Sequence, residues 1–161
     1  MKRTNKNIDI VVAEQSHITD LHSKIKQADI DELEACYGQS PEQVLTESLS
    51  ISEEAYTVIV DGNPEMMFGI VKDEDNDDAA IVWMLSSAEV FSKVTVKRFI
   101  RETKKFVQQF HQKYLYLHNH VDERNLASLM WLRRVGFKLV SRQQSFGVMG
   151  LPFIQILSMR K

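Results

Sequence analysis

The segment His118-Asn-His-Val-Asp-Glu123 brings two histidines and two acidic residues close together in sequence. His118 and His120 are two residues apart, so in a strand they share a face and could bind a metal ion. No third ligand follows at a metal-binding spacing, and the sequence therefore predicts no metal site. His120 or Glu123 could instead deprotonate an amine, since neutral imidazole accepts protons near neutral pH. The alternative is a strand-end loop with satisfied polar groups, which leaves the catalytic residue unknown.

Three basic residues, Lys93, Lys97 and Arg98, flank the start of a long helical pattern. A cation beside a helix N-terminus interacts unfavourably with the helix dipole, so a bound anion such as a phosphate would relieve that repulsion. The alternative is a solvated helix face.

Two other groups of residues have an ordinary structural explanation beside a functional one. Trp83, Trp131, Phe99 and Phe106 could line a ligand, but their helical and strand spacing is typical of core residues. The acidic run Asp73–Asp78 is most simply a solvated loop tip, and its alternative role is to dock a basic partner.

The elements that must position these residues follow from the hydrophobic periodicity. The predicted order is β-α-α-α-β-β-β-α-β-α-β-β, an α+β domain built on one mixed sheet. Strands are predicted at 8–14, 55–61, 65–72, 79–87, 114–118, 137–144 and 152–159, and the long helix at about 94–111.

Local signals predict several element ends. Ser16 is expected to cap a first helix that begins near His17, and Gly38 is expected to end the second one. Ser40, Pro41 and Gln43 together predict a capping box for the third helix. A hairpin turn is predicted at 61–64, Asp-Gly-Asn-Pro.

The segment Asn125-Leu-Ala-Ser-Leu-Met-Trp-Leu-Arg-Arg-Val-Gly136-Phe137 combines a helix start, about three turns of helix, a glycine stop and the start of a strand. It resembles the last conserved motif of the GNAT (GCN5-related N-acetyltransferase) superfamily, which has Asn, a small residue three positions later, a central aromatic and a final Gly-Phe. In that family the helix packs beside acetyl-CoA. The order of predicted elements extends this resemblance over most of the chain.

The resemblance implies a single GNAT-like domain over residues 1–161, with a mixed central sheet flanked by helices, and acetyl-CoA between two diverging parallel strands. Backbone groups of the first strand would pair with the pantetheine arm, and N–H groups near Leu85 would stabilise an oxyanion. The alternative is a cleft filled by side chains. The cofactor-binding residues that it implies are Met84, Leu85, Ser86, Lys93, Lys97, Asn125 and Ser128.

Two departures from the family pattern predict weak or absent acetyl-CoA binding and slow chemistry. The family binds pyrophosphate with a glycine-rich loop, whereas the corresponding segment here, 86–96, contains no glycine. The family often uses a Tyr in the motif helix as general acid, and that position is Leu132, which has no proton to donate.

A narrower resemblance is to the small GNAT-like proteins of tailed bacteriophages, including an internal virion protein of podophages. It rests on the strand end Ile81-Val-Trp-Met-Leu-Ser-Ser87, a Lys/Arg-rich helix with Phe99 and Phe106 seven apart, and the Asn-containing exit of the next strand. It implies a phage-encoded acyl-CoA-dependent N-acetyltransferase of unknown amine substrate. The alternative is a non-catalytic virion or morphogenesis protein with a phage or host protein partner.

The composition is typical of one globular domain: 161 residues, 43% apolar and 26% charged. The formal charge of −2 predicts no general attraction to nucleic acid. A single cysteine, Cys36, suits a reducing compartment. The sequence shows no apolar signal segment and no apolar run long enough to span a membrane, so we expect the protein in the cytoplasm, that of the host if phage-encoded, or in the virion.

Overall fold

The computed structural model describes residues 7–94 and 96–161, which form a seven-stranded sheet flanked by helices. The strand order is β1-β2-β3-β4-β5-β7-β6, and only β4 and β5 run parallel to each other. The strands are β1 (Ile8–Val12), β2 (Glu54–Val60), β3 (Asn63–Lys72), β4 (Ala79–Ser86), β5 (Tyr116–Asp122), β6 (Lys138–Phe146) and β7 (Leu151–Met159).

The helices cover both faces of the sheet and divide its core in two. Side chains of α1, α2 and α3 pack with Met67 and Leu85 on one face, while α5 and α6 pack with Phe68 and Leu117 on the other. The helices are α1 (Gln15–Leu21), α2 (Gln27–Tyr37), α3 (Pro41–Ile51), α4 (Val90–Lys93), α5 (Val96–His111) and α6 (Leu126–Arg134).

Most predicted helix ends are confirmed, and one is wrong. Gly38 is left-handed at φ 66°, and Ser40 and Gln43 form the predicted capping box. However, α1 begins at Gln15 rather than after Ser16, because the N–H of Glu14 finds an acceptor in His17 Nδ1 at 3.1 Å.

The motif helix ends as predicted, at Gly136 with φ 108°. The N–H of Phe137 then donates to the carbonyl of Leu132 at 2.9 Å, which closes the last helical turn.

Strand β5 is longer than predicted and continues through Asp122, where the sequence indicated a loop from Asn119 onward. The reason is its neighbour β7, which pairs with β5 along its whole length up to the Asp122–Phe153 pair. The polar side chains of Asn119, His120 and Asp122 therefore stand on a regular strand.

Strands β4 and β5 pair at only three positions, from Ala79–Tyr116 to Ile81–His118. Beyond Ile81 the two strands diverge, although each remains paired on its other side. This divergence leaves an opening in the middle of the sheet, here called the gap, and the candidate site is built around it.

Candidate functional site

The narrow end of the gap is closed by a side chain. The amide of Asn119 donates from Nδ2 to the carbonyl of Val82 at 2.6 Å, where the backbone pairing of β4 and β5 has stopped. Its Oδ1 accepts the N–H of His120 at 2.7 Å. Asn119 is therefore fixed at both ends of its amide and orients the His120 backbone.

The backbone of β4 presents alternate residues to the gap, because successive N–H and C=O groups in a strand point to opposite sides. Ser87 N–H donates to the carbonyl of Glu65, on β3's side, and Val82 C=O points to the gap. Met84 therefore directs its N–H and C=O into the gap, and Leu85, which pairs with Met67, directs its own toward β3. The N–H of Leu85 itself thus lies on the far side of the strand, and of the N–H groups near Leu85 that of Met84 faces the gap.

The wide end of the gap is occupied by the start of α2. Ser86 N–H donates to Asp29 Oδ2 at 3.1 Å, and the N–H of Lys26 donates to the carbonyl of Ser86 at 3.0 Å. Lys26 Nζ bonds Asp29 Oδ1 at 2.5 Å and reaches the hydroxyls of Ser86 and Ser128, each at 3.1 Å. We call Lys26 and Asp29 the α2 clasp, because together they bind both walls of the gap.

The predicted residues of the motif helix α6 meet the same clasp. Asn125 caps α6 by accepting the N–H of Ser128 at 3.4 Å, and its Nδ2 donates to Asp29 Oδ1 at 2.8 Å. Ser86, Asn125 and Ser128 are all buried. The structure therefore brings these three predicted residues together, around a carboxylate from α2.

Two cavities lie back to back across the gap. One, of about 80 Å³, is on the α5 and α6 face, and the other, of about 70 Å³, is on the α2 and α3 face. They share five lining residues, Glu32, Trp83, Met84, Asn119 and His120. Two small molecules that entered from opposite faces would therefore meet at these residues.

Glu32, on α2, is the carboxyl group at this meeting point. Its Oε1 accepts the N–H of Asp122 at 2.8 Å and Nδ2 of Asn125 at 3.3 Å. Burial raises the pKa of Glu32 to about 7, helped by the charges of Asp29 and Asp122 and opposed by these two hydrogen bonds. A carboxyl group with such a pKa can exchange protons near neutral pH.

Glu32 was missed in the sequence, where it belongs to an acidic stretch of α2 that resembles a solvated face. The signal that could have found it is its position three residues after Asp29, which places both carboxylates on one side of the helix.

The two candidate bases predicted from the sequence, His120 and Glu123, and the nearby His118 have different surroundings. His120 lines both cavities and stacks on Phe146 at 4.5 Å between ring centroids. Burial lowers the pKa of His120, and His118 lowers it further. His118 instead pairs with Asp73 at 2.7 Å, and Glu123 forms an ion pair with Arg142 at 2.8 Å, both away from the cavities. Within residues 7–94 and 96–161, no group of three His, Cys, Asp or Glu is placed to hold a metal ion.

The predicted phosphate-binding lysines are separated. Lys93 Nζ lies 2.6 Å from Oε1 of the buried Glu65, which Lys24 also contacts at 3.1 Å. Burial works to raise the pKa of Glu65, but the hydrogen bonds from Lys93 and Lys24 outweigh it and hold the pKa below its usual range. Lys97 is exposed on α5. Lys93 therefore anchors the end of α4 to β3, and Lys97 faces solvent.

The aromatic residues divide between core and cavity. Trp131 stacks on Phe99 at 4.8 Å between ring centroids, and both are buried. Trp83 lines both cavities, with its Nε1 donating to Ser52 Oγ at 2.8 Å. Leu132, the position of the family's tyrosine, lines the cavity on the α5 and α6 face.

Solved structures with the same fold are N-acetyltransferases. An acetyltransferase of the GNAT family from Kribbella flavida has a TM-score of 0.68 at 11% identity, over 95% of this chain and 98% of that one. AAC(6')-Ib in complex with ribostamycin and coenzyme A has a TM-score of 0.67 at 12% identity, over 95% and 93%. A chimera of spermidine N-acetyltransferase SpeG from Vibrio cholerae and hSSAT has a TM-score of 0.67 at 12% identity, over 94% and 95%.

These similarities confirm the predicted fold, a GNAT fold with a mixed sheet between two layers of helices. No protein-family model matches the sequence, and no curated protein matches it significantly. Among the described residues, no helix has the length and apolar character that crossing a membrane requires.

Proposed function

We propose that this protein is an acyl-CoA-dependent N-acyltransferase that works at the gap between β4 and β5. The observation that carries this proposal is the pair of cavities that meet at Glu32 and His120 in a GNAT fold. One cavity would admit the thioester arm and the other an amine. AAC(6')-Ib holds coenzyme A and an aminoglycoside in its complexes, which supports a two-substrate site in this fold.

The residues at the gap fit a thioester arm in part. The N–H and C=O of Met84 face the gap and are placed to pair with amide groups of the arm, and the cavity beside them is lined mostly by apolar side chains. Farther along, the N–H and C=O of Ser86 are already bonded to the α2 clasp. An acyl-CoA arm that also paired with Ser86 would have to displace Asp29 and Lys26. This competition and the glycine-free loop would both weaken the binding of acyl-CoA.

Each residue at the meeting point has a role that its geometry supports. Bound acyl-CoA would supply a thioester carbonyl carbon and a thiol leaving group. Glu32 would take a proton from the amine, and Asn125 and the Asp122 N–H would hold its carboxylate in place. Met84 N–H would stabilise negative charge on the carbonyl oxygen. Leu132 offers no proton to the leaving group, so the step that releases the thiol would be slow.

A second candidate function is a non-catalytic role, in a phage virion or elsewhere, and a specific observation favours it. The α2 clasp joins the two walls of the gap between which an acyl-CoA arm would have to insert. Asp29 accepts hydrogen bonds from Lys26, Ser86 and Asn125. A fold stabilised in this way needs no ligand in the gap. Copurification with virion or portal proteins and no acyl transfer would support this second function.

The test of the first function is the release of free thiol from acetyl-CoA with a panel of small amines, comparing wild type with Leu132→Tyr. We expect slow, amine-dependent release by the wild type and a rate about 100-fold higher for Leu132→Tyr, since a general acid typically contributes that much. Leu139→Tyr, on the exposed strand β6, is the control and should leave the rate unchanged. No release by either wild type or Leu132→Tyr would contradict the proposal.

A further inference from the structure

The cavity on the α2 and α3 face, here called the acceptor pocket, contains a single charged group. Of the described residues that line it, Glu32 is the only acid, and none is a lysine or arginine. The two carboxylates whose charges act on Glu32 already have cationic partners, since Asp29 pairs with Lys26 at 2.5 Å and Asp122 with Arg124 at 2.7 Å. One positive charge can therefore be balanced inside the pocket.

The rest of the pocket is small, and its polar side chains, Tyr37, Ser48, Asn119 and His120, carry hydroxyl, amide or imidazole groups rather than carboxylates. Val44, Trp83, Met84 and Phe153 line it, and its volume is about 70 Å³. The walls are held in place, because the ring of Phe146 packs against Phe153 at 4.8 Å and against His120 at 4.5 Å between ring centroids. An apolar substituent would be desolvated favourably against the apolar and aromatic side chains of the pocket, whereas a second ammonium group would lose its hydration and find no second carboxylate among the described lining residues.

We propose that the acceptor pocket binds primary monoamines with a small apolar substituent, such as butylamine, with the amine nitrogen at Glu32. This inference rests on the proposed function, since it names the acceptor of that reaction. It excludes polyamines as preferred substrates, because the pocket offers no second carboxylate. The acceptor is thus defined by one charge and one short apolar group.

The chemistry of transfer balances with Glu32 as the proton carrier. An ammonium ion would give one proton to the Glu32 carboxylate, which burial makes a better base than an exposed carboxylate. The free amine would then form the N–C bond to the acyl carbon while the C–S bond breaks. Of the two protons that the nitrogen loses, one ends on the thiol sulfur and the other passes from Glu32 to water.

The test is direct binding of two matched ligands, butylamine and putrescine, which differ by one terminal amino group. Titrations followed by NMR at about pH 8, where Glu32 is largely ionised, need no acyl-CoA. We expect saturable binding of butylamine, about tenfold weaker binding of putrescine, and about a tenfold loss of butylamine affinity in Glu32→Gln. Glu34→Gln, on the exposed side of the same helix, should bind butylamine like wild type.

Three results would overturn the inference: putrescine binding as tightly as butylamine, an unchanged affinity in Glu32→Gln, or no saturable binding of butylamine. Gln keeps an oxygen that can accept the hydrogen bonds of Asp122 and Asn125, so we expect Glu32→Gln to fold. A thermal melt of the variant checks this. Thiol release is measured separately, so a failure of acyl transfer is distinguishable from a failure of amine recognition.

Discussion

The protonation of Glu32 affects both the proposed chemistry in the gap and the stability of the fold. Its pKa is about 7 in the folded chain against 4.5 for an ordinary glutamate, so the folded state holds the proton more tightly than the unfolded state. Linkage then requires the free energy of unfolding to fall as pH rises from about 4.5 to 7, by about 3 kcal/mol in total. Above about pH 7 the contribution of Glu32 to the free energy of unfolding is constant, because Glu32 is ionised in both the folded and the unfolded state.

Glu32→Gln should remove this pH dependence, since Gln stays neutral. At about pH 8 we expect the variant to be more stable than wild type by up to about 3 kcal/mol, and at about pH 4 the two should be similar. Other groups around the site, Lys26, Asp29, His120 and Asp122, remain in both proteins, so the difference between the two curves isolates Glu32. Urea unfolding across this pH range measures it, and parallel curves would contradict the assigned pKa.

Asn125 combines a helix cap with buried contacts to α2. Asn125→Ala should lose the cap of α6 and also remove one hydrogen bond each from Asp29 and Glu32, which keep their other donors, for a total loss of about 2 kcal/mol. Ser40→Ala is a matched control, since Ser40 caps α3 at an exposed site and should cost only about 1 kcal/mol. Equal losses in the two variants would show that Asn125 serves only as a cap.

At the scale of elements, the N-terminus of α2 and the proposed acyl-CoA arm would compete for the same edge of β4. Asp29→Asn keeps the size of the side chain and removes the charge that holds Lys26. We expect it to raise coenzyme A affinity about tenfold, because a smaller fraction of molecules has the Ser86 N–H occupied.

Calorimetry of coenzyme A binding to Asp29→Asn, wild type and the surface control Glu34→Gln checks this expectation. The same change should lower the free energy of unfolding by about 3 kcal/mol, since it breaks a buried ion pair. Lower coenzyme A affinity in Asp29→Asn would contradict the competition and would instead indicate that Asp29 helps to build the site.

The order of elements could be predicted because most of its signals are local. Ser40, Gly38 and Gly136 act within one or two turns, and the apolar periodicity of α5 and β4 comes from residues near in sequence. The site was only partly predictable, because it depends on distant contacts. Asp29 and Asn125 meet across 96 positions of sequence, and no local pattern at Asp29 or Glu32 shows which strand they will face.

The bounds of β5 are a second feature that distant contacts determine and that local sequence does not predict. The sequence from Asn119 to Asp122 is mostly polar and by itself predicts a loop, but pairing with β7 holds it in strand form. The functional consequence is large, because this extension places Asn119 and His120 on the wall of the gap. Tertiary pairing overrode the local preference at the position where the candidate site lies.

At the scale of the whole molecule, the two cavities lie on opposite faces of the sheet and meet at the gap. The arm of acyl-CoA would enter from the α5 and α6 face and the amine from the α2 and α3 face, which would keep the two reactants apart until they meet at Glu32. On the proposed function, the glycine-free loop and the α2 clasp would lower the affinity for acyl-CoA without removing its cavity.

The most direct measurement of the central claim is calorimetric titration of the purified protein with acetyl-CoA. We predict saturable binding in the gap with a Kd between about 10 µM and 1 mM, weaker than about −7 kcal/mol, and shifts of Met84 and Leu132 signals in a parallel NMR titration. The absence of binding at about 1 mM acetyl-CoA, with both signals unchanged, would contradict the account that this gap is an acyl-CoA site.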